Sequence, residues 1–182
     1  MWGSAPTTKA LALVGLKYGI AGSIIALVLF LSLFSLQESP LSAIRLFDFI
    51  LIPLFVVFAL WEAKRYTLGG YMSYSQGMTV AAVTFLTIAV CSSLFILLML
   101  LFWSPQLLAD YQREGLAILQ SQSTDLDWTQ VGAAEHEEAI QKVRAATAYQ
   151  VAADDFLKKS VIGLFLSSLF SLFMKRNQPN QP

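Results

Sequence analysis

The sequence predicts an all-α protein, a four-helix transmembrane bundle with an extramembrane helical hairpin between the third and fourth spans. Composition is the first observation, because 56% of the residues are hydrophobic and 13% are charged, whereas soluble domains carry about 25% charged residues. The second is a set of four apolar runs, and the third is an acidic segment between the last two runs. The predicted parts are cytoplasmic tails at 1–9 and 175–182, spans one to three within 10–103, an extracytoplasmic amphipathic insert at 104–159, and span four at 160–174.

The first helix is predicted from an apolar run that begins near Ala10 and contains no charge between Tyr18 and Gln37. That stretch is long enough to cross a bilayer, and it is longer than the apolar core of a cleaved signal peptide, which is the rival interpretation. Gly15 and Gly19 lie on one small-residue stripe with Gly22 and Ala26. The stripe is interpreted either as a dimer face or as a packing face against another helix of the same chain.

The second helix is predicted from Leu41 to Trp61, and it carries Arg45, Asp48 and Pro53. Arg45 and Asp48 are three residues apart, so both side chains lie on one helix face. One hypothesis makes Asp48 a protonatable or cation-binding group with Arg45 as its partner, beside a helix loosened at Pro53. The other places both at the headgroup level, where Arg45 snorkels and Asp48 neutralises it.

The turn after the second helix contains Gly69 and Gly70, which can adopt positive φ angles and so permit a sharp reversal. A Gly-Gly pair is not a phosphate site, because the P-loop spacing and its Lys-Ser/Thr are missing. The third helix is predicted from Gly77 to Trp103. Its Ser92 and Ser93 are expected to bond back to carbonyls one turn earlier.

Cysteine and histidine usage excludes two kinds of site. Cys91 is the single cysteine, so the chain has no intrachain disulfide and no multi-cysteine metal site, and we interpret it as a small packing residue. His136 is the single histidine, and Ile140 stands where a zinc hydrolase motif needs a second one. No cofactor or metal site is therefore predicted.

The insert at 104–159 differs in charge from the rest of the chain. It contains nine acidic and five basic residues. Two amphipathic helices are predicted in it, one ending near Gln122 and one from about Asp127 to Lys159. The fourth span is predicted from Ser160 to Met174. Because this run is short for a bilayer, Lys158 and Lys159 are expected to snorkel at its start.

Charge also predicts the orientation. Four spans place both termini on one side, together with Lys9, Lys64, Arg65, Lys175 and Arg176. The positive-inside rule then places both termini in the cytoplasm and the acidic insert on the other side.

Three motifs carry a resemblance to a known family: Leu16-Lys17-Tyr18-Gly19, the run from Gly69 to Gly77, and Pro105 at the start of the charged insert. Together they resemble a bacterial integral membrane family catalogued as domain of unknown function 4199, over nearly the whole chain. The resemblance implies a four-span protein of the bacterial inner membrane. It supplies no catalytic residues.

Two functions are compatible with these features. The first is a structural or accessory role, in which the bundle presents the insert at 104–159 to a protein partner in the membrane or envelope. The alternative is a small-solute or proton-coupled transporter that uses Asp48 and Arg45. The expected partners are the lipid bilayer, this protein partner and a second copy of the chain. No stripe of basic and aromatic residues indicates nucleic acid, and no nucleophile and base spacing indicates an enzyme.

Overall fold

The structure, a computed structural model, describes residues 8–36, 40–103, 106–125 and 130–176, and the side chains of these residues except at 40–49 and 121–134. Within these residues the chain is helical, and π-helical turns at Ala63–Thr67 and Met99–Trp103 extend two of the helices. The α-helices are α1 Thr8–Ser35, α2 Pro40–Glu62, α3 Tyr74–Leu98, α4 Gln106–Asp125, α5 Gln130–Arg144 and α6 Ala148–Met174.

Three helices in the described part of the chain are long and apolar enough to cross a membrane: α1, α3 with its π-helical turn, and α6. Much of their apolar surface points outward. Ile24 is 57% exposed, Val90 51% and Phe165 68%. Apolar surface of this extent on the outside of a helix bundle is typical of contact with lipid.

Helix α3 is the centre of the bundle, because α1, α2 and α6 all pack against it. Val56 and Leu60 of α2 are completely buried, as are Val80 and Ile88 of α3. Helix α2 continues through Pro53 and its C-terminal half contributes to this apolar core. The fold is therefore a bundle around α3, with α4 and α5 packed against each other at one end.

Glycines allow the helices to approach α3 closely. Gly15, Gly19 and Gly22 are buried on α1, and a Cβ atom added at Gly19 would lie 2.5 Å from Thr87 Cβ. On α6, a Cβ atom at Gly163 would lie 2.4 Å from the Phe85 ring. Both distances are below van der Waals contact, so larger residues would push these helices apart. The α1 stripe faces α3 and is not available to a second copy of the chain.

Two helices begin earlier than the apolar runs predicted. Helix α3 begins at Tyr74 rather than Gly77, because Ser73 and Gln76 form a capping box. Helix α6 begins at Ala148 rather than Ser160, after a capping box of Thr147 and Gln150. The predicted continuous helix from Asp127 to Lys159 is therefore wrong, since α5 ends at Arg144 and residues up to Lys159 belong to α6.

The turn between α2 and α3 reverses the chain where the sequence predicted. Gly69 has a φ of +61° and Gly70 a φ of +94°, values that residues with a Cβ atom rarely adopt. The turn delivers Met72 to the end of α6, where its backbone N–H and C=O pair with those of Arg176 at 3.0 and 2.9 Å. The two ends of the bundle therefore have different partners: the α2–α3 turn at one, and α4 and α5 at the other.

Candidate functional site

A buried group of four polar side chains joins α3 to α6, and we call Ser92, Ser93, Asp155 and Lys159 the charged cluster. Lys159 Nζ donates to Asp155 Oδ2 at 2.7 Å and to Ser92 Oγ at 2.9 Å. Ser93 Oγ donates to the same Asp155 Oδ2 at 2.8 Å. The Lys159 side chain is 3% exposed and that of Asp155 is 8% exposed. The expectation that Lys159 snorkels to the membrane surface is therefore wrong.

Helix geometry explains why these side chains meet. Asp155 and Lys159 are four residues apart on α6, so they lie one above the other on the same face. Further along α6 that face continues through Gly163, Ser167 and Ser171, all of which are buried. Ser92 and Ser93 are consecutive on α3 and are both buried. Ser92 bonds to Lys159 and Ser93 bonds to Asp155, so the ion pair is bonded to two neighbouring positions of α3.

The electrostatics of the charged cluster are balanced internally. Burying one charge in an apolar bundle is very costly, whereas a pair that is also hydrogen-bonded recovers much of that cost. Here one carboxylate oxygen accepts two hydrogen bonds, and the ammonium group donates to a carboxylate and a hydroxyl. The cluster therefore holds α6 in one register on α3, and it places a titratable pair inside the bundle.

An apolar cavity of about 190 Å³ lies between α1 and α3 beside the cluster. Ser92 forms part of its wall, together with apolar residues such as Ile24 and Phe95. Cys91, interpreted from the sequence as a small packing residue, also lines the cavity and is exposed. The cavity therefore lies next to Ser92, whose hydroxyl accepts the hydrogen bond from Lys159.

Several hydroxyl groups on α6 are buried and differ from those on the other helices. The Oγ atoms of Ser160, Ser167 and Ser171 have no hydrogen-bond partner among the described residues. By contrast, Ser23 and Thr84 donate to carbonyls one turn earlier, at 2.7 and 2.8 Å, as hydroxyls in apolar helices ordinarily do. The buried face of α6 thus carries three hydroxyl groups that its own backbone does not satisfy.

From here on the name insert is used for the helices α4 and α5 alone, because the last part of the predicted segment 104–159 belongs to α6. The insert lies at the end of the bundle next to the charged cluster. Gln112 Nε2 donates to the carbonyls of Arg144 and Ala146 at 3.2 and 3.0 Å, so α4 closes the end of α5. An apolar group joins the insert and the start of α6 to the bundle: Phe30, Ile96, Met99, Leu100, Leu107, Ala148 and Val151. Leu107 therefore attaches α4 to the bundle, and α5 is held by its packing on α4 and by the hydrogen bonds of Gln112.

Contacts within the insert shift the pKa values of two of its acidic side chains. Burial and the neighbouring Asp110 carboxylate raise the pKa of Glu114. A hydrogen bond from Lys142 lowers the pKa of Glu138, and the two side chains form an ion pair at 2.7 Å. Asp154 and Lys158 form a further ion pair on the outside of α6.

The opposite end of the bundle carries basic residues. Lys17 Nζ pairs with Glu62 Oε2 at 2.8 Å, so the start of α1 and the end of α2 lie at the same end. Lys64 Nζ donates to the carbonyl of Met174 at 2.8 Å and closes the end of α6. All four long helices therefore have one terminus at this end.

Among the residues that the sequence singled out, Gly69 and Gly70 lie at the end of the bundle away from the charged cluster. The backbone of Arg45 and Asp48 belongs to α2, but their side chains lie outside the described residues. Gly69 and Gly70 form the turn at the basic end, and a Cβ atom added at either position would meet no atom within 4 Å. A pattern that could have indicated the charged cluster is the pair Asp155 and Lys159, at helical spacing directly before an apolar run.

Metal binding has no support in the described part of the chain, where no three histidine, cysteine, aspartate or glutamate side chains come together. No curated protein and no solved structure matches the chain. One family does match, described as "Protein of unknown function (DUF4199)", over residues 14–176. Because that match covers nearly the whole sequence, and the family is the one that the glycine motifs resemble, the chain belongs to the DUF4199 family.

Proposed function

We propose that the chain is a membrane protein with four spans. The proposal adds α2 to the three helices that are apolar and long enough to cross a bilayer. Its support is geometric: Lys17 near the start of α1 contacts Glu62 at the end of α2, so α2 returns along the length of α1. If α1 crosses the membrane, α2 crosses it too.

The orientation follows from the charges at the two ends. At the basic end, one carboxylate, Glu62, accompanies six cations: Lys9, Lys17, Lys64, Arg65, Lys175 and Arg176. The other end carries the acidic insert. The positive-inside rule then assigns both termini to the cytoplasm and the insert to the outer face of a bacterial inner membrane.

Within this arrangement we assign a structural or accessory role, in which the bundle presents the insert to a protein partner. The observation that supports it is the buried charged cluster, which fixes the start of α6 against α3. Helix α6 follows the insert directly, after the Thr147 cap. A surface held in this way is pre-organised, so a partner loses less conformational entropy on binding it. The role requires no chemistry in the bundle.

Position-specific photo-crosslinking tests the role. A photoreactive residue at Ile118, which is 54% exposed on α4, is expected to capture one defined membrane or envelope protein in cells. The matched position is Leu172, which is 60% exposed on α6 at the other end of the bundle. The adduct at 118 should disappear in the Asp155→Asn variant, because that change releases the insert. An adduct that forms equally at both positions, or that survives this change, contradicts the proposal.

A second candidate is a small-solute or proton-coupled transporter, and the buried titratable pair favours it. Lys159 lies fifteen residues before Met174, about 22 Å along the helix axis, which is inside a hydrocarbon layer about 30 Å thick. Ionisable groups at that depth often belong to transport paths. Asp48 and Arg45 of α2, the candidates from the sequence, are a second pair of ionisable residues for such a transporter.

Flux measurements separate the two candidates. The chain is reconstituted into vesicles, and proton entry driven by a pH gradient is compared among the unchanged chain, Asp155→Asn, Asp48→Asn and Asp154→Asn. If the chain is a proton-coupled transporter, the proton flux must exceed that of empty vesicles. Asp155→Asn must abolish this flux, and Asp154→Asn must preserve it. A flux equal to that of empty vesicles removes proton transport and leaves the accessory role.

A further inference from the structure

Four basic residues at the ends of two helices meet at one corner of the bundle, and we call Lys64, Arg65, Lys175 and Arg176 the basic latch. Two contacts bring the two segments together, and a third fixes the turn that follows α2. Lys64 Nζ bonds the Met174 carbonyl, the backbone of Arg176 pairs with that of Met72, and Gly70 N–H donates to the Lys64 carbonyl at 2.7 Å. The positions of the four residues are therefore set by backbone contacts and by the Lys64 ammonium group.

Aromatic rings orient the two guanidinium groups. Arg176 lies over the Tyr71 ring at 5.6 Å. Arg65 lies over the rings of Trp61 and Tyr66 at 5.3 and 5.8 Å. Cation–π contacts leave the N–H edges of the guanidinium free to donate, and these edges match the oxygens of a phosphate.

The basic latch carries no neutralising carboxylate. Across the described residues, the structure places no acidic side chain within ion-pair distance of any of its four members. Glu62, the nearest acid in sequence, pairs with Lys17 and accepts a hydrogen bond from Tyr18 at 2.7 Å. Arg65, Lys175 and Arg176 are exposed. Three exposed positive charges beside the half-buried Lys64 make this corner favourable for an external anion.

We propose that the basic latch binds the phosphate headgroup of an anionic phospholipid in the leaflet that surrounds it. The inference rests on the proposed membrane-spanning arrangement, which puts the latch at the membrane surface. A lipid phosphate is the anion concentrated at that depth, and each basic side chain near an anionic membrane surface adds to the attraction. The exposed Trp61 and Tyr66 are the residue types that occupy this headgroup layer. The bound lipid ties the end of α2 to the end of α6.

The test uses the full chain in detergent, with phosphatidylglycerol and phosphatidylcholine as the two probes and thermal unfolding and native mass spectrometry as readouts. Phosphatidylglycerol is expected to raise the unfolding temperature and stay bound, whereas phosphatidylcholine does neither. In the double variant Lys175→Gln and Arg176→Gln, affinity for phosphatidylglycerol is expected to fall by about tenfold or more. The matched variant is Lys142→Gln and Arg144→Gln, which removes the same charge from α5 and should keep the affinity.

Three results would overturn the inference. They are equal effects of the two lipids, equal losses in the two double variants, and full competition by inorganic phosphate, which would make the ligand a free anion. Extraction at alkaline pH separates this failure from failure of the membrane proposal. A chain that stays in the membrane but ignores phosphatidylglycerol contradicts only the lipid site. A chain that is released contradicts the membrane arrangement itself.

Discussion

Asp155 and Lys159 show how two residues can set the position of a whole helix. Their charges are buried between α3 and α6 and bonded to Ser92 and Ser93, so a shift of α6 by one turn would leave both charges without these hydroxyls. In an apolar environment such a shift is more costly than the loss of ordinary van der Waals contacts. The pair therefore gives α6 one register where apolar packing alone would allow several.

We expect removal of one charge to be more damaging than removal of both. Asp155→Asn leaves the Lys159 ammonium buried without its carboxylate and should lower the free energy of unfolding by about 3–5 kcal/mol. Asp154→Asn removes the acid of the exposed pair with Lys158 and should cost about 1 kcal/mol or less. Circular dichroism during thermal unfolding in detergent measures both changes.

The double variant Asp155→Leu and Lys159→Met completes this comparison. It removes both charges and fills the space with apolar atoms, so most of the stability lost in Asp155→Asn should return. Equal unfolding temperatures for Asp155→Asn and Asp154→Asn would contradict the role of the charged cluster. The same result would also weaken the proposed presentation of the insert.

The sequence did not predict the charged cluster, and the expectation that Ser93 bonds back to a carbonyl of its own helix is wrong, because it donates to Asp155. Hydropathy places Lys159 at the edge of an apolar run, and long basic side chains at such edges ordinarily snorkel. The side chain turns inward because Asp155 lies one turn earlier and Ser92 of α3 accepts a hydrogen bond from it. The second condition is a tertiary contact with no trace in local sequence. Arg45 and Asp48, which local sequence did single out, stay predictions.

At the scale of elements, apolar runs predicted α1, α3 and the second half of α6 well, but they placed helix starts too late. Hydropathy falls between Ala148 and Lys159, whereas the helix persists through that stretch. Capping residues mark the true starts: Thr147 with Gln150, and Ser73 with Gln76. A capping box is a local signal, so these two starts were readable from the sequence.

The seam between α1 and α3 gives a prediction at this scale. Helix propensity alone would make Gly19→Ala stabilising by about 0.5–1 kcal/mol. The added Cβ atom, however, would lie 2.5 Å from Thr87 Cβ, and overpacking of that kind costs about 1–3 kcal/mol. We therefore expect Gly19→Ala to destabilise the protein in thermal unfolding.

The control for the seam adds one carbon on the outer side of the same helix. Val28 is 54% exposed on α1, so Val28→Ile should leave the unfolding temperature nearly unchanged. If Gly19→Ala stabilised the protein instead, the close approach of α1 to α3 would be incorrect.

At the scale of the whole molecule, charge and length act together. The six cations of the basic end and the acidic insert lie at opposite ends of a bundle whose long helices all have one terminus at the basic end. The Lys17–Glu62 contact places the end of α2 beside the first half of α1. This contact supports the second span that the apolar run from Leu41 to Trp61 predicted.

The number of crossings and their direction can be measured together by thiol labelling in cells. In a Cys91→Ala background, single cysteines are placed at Lys9, Gln120 and Lys175, and an impermeant thiol reagent is added before or after lysis. Three crossings separate Lys9 from Gln120, so we expect Gln120 to react in intact cells and Lys9 only after lysis. Lys175 should behave as Lys9 does, because the fourth crossing returns the chain to the cytoplasm.

If α2 did not cross, Lys9 and Gln120 would react on the same side and Lys175 on the other, which would exclude four spans. The fully reversed pattern would keep four spans and show that the charge asymmetry does not set the orientation.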